Sequence, residues 1–290
     1  MGAPRVVALA AAGAVVLAGA GFGTGLVAGA GAGAAQAAPP AAAVRPAVTV
    51  AAGATTGVLR TAEARQGGTA AWSAPLGAPK RLKLGAKGEA VEALQRRLAE
   101  LGYRPGKADG RYGGTTLMAV WAFQKVNGIR PSSTVATSTW RALERPRAPK
   151  VLVRNGKATR AEVNLTTQIM VLYVAGQPKL ISHISSGSGV PYCETSVWQG
   201  KRQRFCGSAR TPTGDYKTTW RKSGWHKSYL GQLYNPIFFN GGIAFHGALS
   251  VPLYPASHGC VRLPMNVAEV LPGMLGKGVP VHVRGAFRRA

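Results

Sequence analysis

The hydrophobic period of this sequence changes at a short basic segment, Arg145 to Lys150, that contains Pro146 and Pro149. A chain whose period changes cannot fold as one uniform layer. Before the segment, Val91, Leu94, Leu98 and Leu101 fall on one face of a helix from Glu89 to Leu101, and Gly102 ends it. A second helix is expected from Thr115 to Val126, carrying Leu117, Val120, Trp121 and Phe123 and stopping before Asn127-Gly128. A third, shorter one is expected around Thr137 to Leu143. After the segment, residues 161–174 alternate around a polar Thr166-Thr167-Gln168 break, as a hairpin does, and Lys179 to Ser185 supplies a further strand. Pro and Gly then punctuate the chain at short intervals, and only Asn266 to Leu275 reads as a helix. The pattern predicts a multi-domain chain: a small three-helix domain over 81–145, a stiff basic linker over 146–158, and a mainly β domain over 159–284.

Both cores must come from this later part. Most of the Ala and Gly lies in the first seventy of the 290 residues, so the overall hydrophobic content of 46% overstates what the N-terminal part can bury. Residues 1–38 carry Arg5, then an uncharged Ala/Val/Leu/Gly run, and finish in Ala35-Gln36-Ala37-Ala38. That is the pattern of a secretory signal peptide with small residues at the cleavage site, against the alternative of a retained membrane anchor. Residues 39–80, rich in Ala, Pro, Gly and Thr, are expected to form a flexible tether. The chain is therefore expected to be exported and associated with the cell wall, with no stable membrane insertion after cleavage. Its net charge of +26 draws it to polyanions. The Lys and Arg residues are scattered and no nucleic-acid-binding motif accompanies them, so anionic cell-wall polymers are the expected partners and nucleic acid is not.

Three cysteines in an exported chain leave one unpaired. Cys193 and Cys206 flank a polar segment with no regular apolar pattern and are expected to form a disulfide that staples a surface loop. Cys260, in Ser257-His258-Gly259-Cys260-Val261-Arg262-Leu263, stays free. A zinc site competes for these thiols, but Cys193 and Cys206 do not have paired-ligand spacing and His183 is the one nearby imidazole; no metal is expected. A free thiol becomes a nucleophile when an imidazole gives it thiolate character, and a Gly in a tight turn lets backbone N–H groups approach a developing oxyanion. His246 and His258 are the available imidazoles.

Two resemblances sharpen this reading. Leu84-Gly85, Gly88, Val91, Leu94-Gln95, Leu101-Gly102-Tyr103, Asp109-Gly110, Tyr112-Gly113, Ala119-Val120 and Phe123-Gln124 resemble, in order, the small three-helix peptidoglycan-binding domain. Ile243-Ala244-Phe245-His246-Gly247, the Ser257 to Leu263 run, and upstream Thr211-Pro212-Thr213-Gly214 with Tyr216 resemble the L,D-transpeptidase catalytic domain.

The second resemblance implies a mainly β, sandwich-like catalytic domain in which Cys260 is the nucleophile and His246 its base and proton shuttle, oriented by the backbone around Gly247. It implies that His258 shapes the site beside the thiol and that the Gly259 and Cys260 N–H groups form the oxyanion hole. Ser257, Gly247 and Arg262 are the expected substrate-binding positions; for Arg262, a substrate carboxylate and a structural ion pair are equal alternatives. The implied reaction is 3-3 cross-linking of peptidoglycan through a thioester on Cys260, with a donor tetrapeptide stem and an acceptor stem as partners and no cofactor. An L,D-carboxypeptidase using water and a non-catalytic wall-binding protein are the alternatives.

Overall fold

The computed structural model describes residues 81–287; the expected signal peptide and tether lie outside them. The first part holds β1 (Arg81–Lys83), α1 (Glu89–Glu100), α2 (Gly114–Val126), β2 (Thr134–Ala136) and α3 (Thr137–Glu144). All three expected helices form within one residue of their expected ends. The β1–β2 pair, three residues a side, is too short to show in the sequence pattern. Val91, Leu94 and Leu98 of α1 pack on Leu117, Val120 and Phe123 of α2, and the ring of Tyr103 meets that of Phe123 edge-on at 5.5 Å. Gln95, fully buried on α1, ties the turn before α2. Its amide nitrogen donates to Asp109 Oδ1 and to the Arg111 carbonyl, and its carbonyl oxygen accepts from the Gly110 N–H. The Gln95 bond holds the Asp109 carboxyl below its usual pKa.

The second part begins with β3 (Arg160–Asn164), β4 (Ile169–Val174) and β5 (Gln177–His183), followed by β6 (Pro191–Trp198), β7 (Lys201–Ser208), β8 (Gly214–Lys217) and β9 (Trp225–Ser228). It continues with β10 (Gly231–Asn240), β11 (Ile243–Gly247), β12 (Val261–Leu263), α4 (Met265–Met274) and β13 (Pro280–Arg284). Five strands make one sheet in the order β5-β4-β3-β13-β8, and four make another in the order β12-β11-β10-β9. Met170, Leu172, Val163 and Val281 of the first sheet share a core with Ile237, Phe245 and Val261 of the second, and Val267 and Leu271 of α4 join it. The domain is the expected sandwich.

β4 explains how the two parts meet. Its sequence, Ile-Met-Val-Leu-Tyr-Val, is apolar at every position because both of its faces are covered. Met170 and Leu172 point into the sandwich, whereas Ile169, Val171 and Tyr173, with Ile181 of β5, belong to the core of the helical part. The Ile181 N–H donates to the Gly102 carbonyl at 2.9 Å, and Asn266 Nδ2 donates to the Arg104 carbonyl at 2.8 Å. The helical domain and the sheet thus share one apolar cluster.

Cys193 and Cys206 are disulfide-bonded, as expected. The segment they staple is a regular hairpin, β6 on β7, with Cys193 directly opposite Cys206. Its residues are mostly exposed, so it never develops the apolar alternation by which a strand is read from sequence.

Candidate active site

The nucleophile turn stands between two parallel strands. In the β11–β12 register Phe245 faces Val261 and His246 faces Arg262, which brings Cys260, just ahead of β12, beside the His246 strand. Cys260, His246, His258 and Arg262 line one cavity of about 830 Å³, walled also by Tyr192 of the hairpin and Trp225 of β9. Cys260 is half-buried, and its thiol donates to the Gly242 carbonyl, with Sγ 3.6 Å from the oxygen.

Side-chain bonds fix the turn. Ser257 Oγ donates to the Cys260 carbonyl and accepts the Gly259 N–H at 3.0 Å. Thr211 Oγ1 donates to the Gly259 carbonyl at 2.6 Å while accepting the Gly187 N–H at 2.8 Å. Gly259 has φ +140°, and a Cβ there would stand 2.9 Å from the Arg210 carbonyl oxygen. No other residue fits this backbone without displacing its neighbour.

His246 is buried, and its Nδ1 lies 2.9 Å from the Gly247 carbonyl oxygen. A carbonyl can only accept, so Nδ1 carries the proton and Nε2 keeps its lone pair, as a general base requires. Burial pushes the His246 pKa down to about 4, with the Arg262 charge acting in the same direction and the Gly247 bond opposing it. Burial likewise pushes the Cys260 thiol up, against a backbone hydrogen bond from Ala244 and the Arg262 charge. Both shifts favour the uncharged forms, a thiol and an imidazole.

The remaining expected residues divide by what they touch. Gly247 does not face the cavity: a Cβ there would meet Ala268 Cβ at 2.9 Å and Tyr234 at 3.0 Å, and its carbonyl serves His246. Ser257 lines the cavity, but its hydroxyl is engaged within the turn. Both position other groups, and neither contact is free for substrate. The Gly259 N–H is likewise engaged with Ser257 and is not an open oxyanion donor. Arg262 forms no ion pair among the described residues, so of its two expected roles the structural ion pair is not found.

His258 Nε2 lies 2.7 Å from Glu194 Oε1 on the hairpin, and its ring meets Tyr192 edge-on at 4.7 Å. The sequence reading missed Glu194 and Tyr192, which lie in a polar stretch more than sixty residues from the turn. It also missed Thr211 as a bonding partner, although Thr211 heads one of its motifs. Among the described residues no cluster of three or more His, Cys, Asp or Glu could hold a metal ion.

The fold agrees with the comparisons. A profile of the L,D-transpeptidase catalytic domain matches residues 158–283, and one described as a putative peptidoglycan binding domain matches residues 87–143. The crystal structure of the L,D-transpeptidase (residues 123–326) from Xylanimonas cellulosilytica is 37% identical, with a TM-score of 0.63, across 71% of this chain and 98% of that one. An L,D-transpeptidase structure from Stackebrandtia nassauensis is 25% identical across 71% of this chain and 96% of that one, with a TM-score of 0.39. A search of the curated proteins finds no match. Within the described residues the chain joins a helical part that matches a peptidoglycan-binding domain to a mainly β part that matches the L,D-transpeptidase catalytic domain. It belongs to the L,D-transpeptidase family.

Proposed function

We propose that the protein is a cysteine L,D-transpeptidase that forms 3-3 cross-links in peptidoglycan through a thioester on Cys260. The observation that carries this reading is the His246 tautomer: Nδ1–H is committed to the Gly247 carbonyl, and the basic Nε2 is left for a thiol in the same cavity. As the Cys260 sulfur attacks the L,D-peptide carbonyl of a donor tetrapeptide stem, its proton passes to His246 Nε2 and the S–C bond forms. The C–N bond then breaks, and the departing amine of the terminal D-residue takes that proton. In the second half, a side-chain amine of an acceptor stem attacks the thioester and gives a proton to Nε2. The new C–N bond forms, and the sulfur leaves and recovers the proton.

Because the Gly259 N–H is engaged, the Cys260 N–H is the motif donor assigned to the oxyanion. Arg262, with no carboxylate partner among the described residues, is assigned to a substrate carboxylate. The helical domain binds the wall polymer, and the protein acts outside the cytoplasm after removal of residues 1–38.

The test is intact-protein mass spectrometry after exposure to a tetrapeptide stem, with and without an amine acceptor. The reading expects a stem-derived adduct on Cys260 that is lost in Cys260→Ala and resolves into a cross-linked dimer when acceptor is present. Release of free tripeptide alone would make the protein a carboxypeptidase, and absence of any adduct would sink the thioester.

A further inference from the structure

Lys125, on α2 of the helical domain, reaches across the shared core into the catalytic sheet. Its Nζ donates to the Gln168 carbonyl at 3.2 Å and lies 2.8 Å from Nδ1 of the buried His183. His183 Nε2 lies 3.0 Å from the Val251 carbonyl oxygen. That carbonyl can only accept, so Nε2 carries the proton and Nδ1 accepts from the lysine. Burial, with the lysine next in weight, pushes the His183 pKa down to about 3, in keeping with a neutral ring. The Trp121 ring stands perpendicular to the His183 imidazole, with ring centroids 5.4 Å apart.

Val251 lies in the segment 248–256 between β11 and the nucleophile turn, and Ala248, Leu249 and Ser250 of that segment line the cavity. A second route leads to the turn itself. The Gln168 side chain accepts the Ser186 N–H and donates to Ser186 Oγ, and the Ser186 carbonyl accepts the N–H groups of Ala256 and Ser257. Ser257 then holds Gly259 and Cys260.

We propose that Lys125 is a positioning residue of the Cys260 cavity: by fixing His183 and Gln168 it lets the helical domain hold both the 248–256 wall and the nucleophile turn in place. Burying a lysine beside a neutral imidazole has a cost that hydrophobic packing alone would avoid. Ordering the cavity wall is the return on that cost. The proposal rests on the reading of this cavity as the reacting site, and its test separates the two.

The experiment uses the full chain with Lys125→Met and Lys125→Gln, which keep the stem volume. Hydrogen exchange of the Ala256 and Ser257 amides is expected to speed up about tenfold in both variants, while residues 191–208 exchange as before. The donor KM for Cys260 acylation is expected to rise about fivefold, with kcat within about twofold. In a His183→Gln background, Lys125→Met should add less than it does in the wild type, because one of its two contacts is already gone and only the Gln168 carbonyl remains to be lost. Leu98→Ala, a core truncation in the same domain, is the control for general destabilisation. Overturning results are unchanged exchange at Ala256 and Ser257, equal acceleration in Leu98→Ala, or additive effects of Lys125→Met and His183→Gln. If the wild-type chain never acylates, the proposed function fails, and the exchange measurements still judge Lys125.

Discussion

His258 Nε2 and Glu194 Oε1 stand 2.7 Å apart, a polar pair that, beside the Tyr192 ring contact, ties the nucleophile turn to a hairpin sixty-four residues earlier in the chain. Both partners are partly exposed, and such pairs contribute at most about 1 kcal/mol to stability. Glu194→Gln should therefore leave the melting temperature nearly unchanged. It should instead loosen the hairpin over the cavity, seen as faster tryptic cleavage at Arg202 and Arg204. Unchanged cleavage would show that the disulfide and Tyr192 hold the hairpin without the pair.

The directions in which burial moves Cys260 and His246 make a second prediction. Because burial raises the thiol, its alkylation rate should climb with pH through an inflection above the ordinary thiol range. His246→Ala should leave that inflection nearly in place yet slow stem-peptide acylation by about 10²–10⁴, the usual contribution of a general base. If the wild-type inflection lay well below pH 7 and moved up in His246→Ala, the pair would be a preformed thiolate–imidazolium.

Stability should fall as the medium is acidified. His246 and His183 have folded pKa values of about 4 and about 3, below the ordinary 6.5. Between those values and 6.5 the unfolded chain binds more protons than the folded one, so stability rises with pH there. The contribution is fully present above about pH 6.5 and is lost as pH falls toward 4, at up to about 1.4 kcal/mol per pH unit for each histidine. Urea titrations at pH 7 and pH 5 measure it. His183→Gln should flatten the slope, and an unchanged slope would mean that this imidazole is not buried neutral.

Gly259→Ala should disable the site while the domain still folds. The added Cβ must displace either the Arg210 carbonyl or the turn, and the positive φ adds strain of order 1–3 kcal/mol. Circular dichroism should remain native while acylation of Cys260 drops. Full activity would show that the turn has room the structure does not show.

Helix positions were legible in the sequence because Val91, Leu94 and Leu98 repeat at the helical period, and the Ser257 to Leu263 run marked the thiol. The hairpin was not, since β6 and β7 bury little and leave no apolar period to read. Nor could local pattern show that the hydroxyl of Ser257 and the N–H of Gly259 satisfy each other, because that depends on the shape of a turn rather than on residue type. Lys125 and His183 were hidden for a different reason: they are fifty-eight residues apart and meet across two domains.

A strand covered on both faces also sets how the molecule comes apart. Because Ile169, Val171 and Tyr173 of β4 anchor the helical core while Met170 and Leu172 anchor the sandwich, neither core can melt without exposing half of a strand that belongs to the other. The two domains should behave as one cooperative unit in calorimetry, with a single transition whose calorimetric and van't Hoff enthalpies agree. Excision of residues 81–145 would then yield a sticky fragment rather than a smaller enzyme.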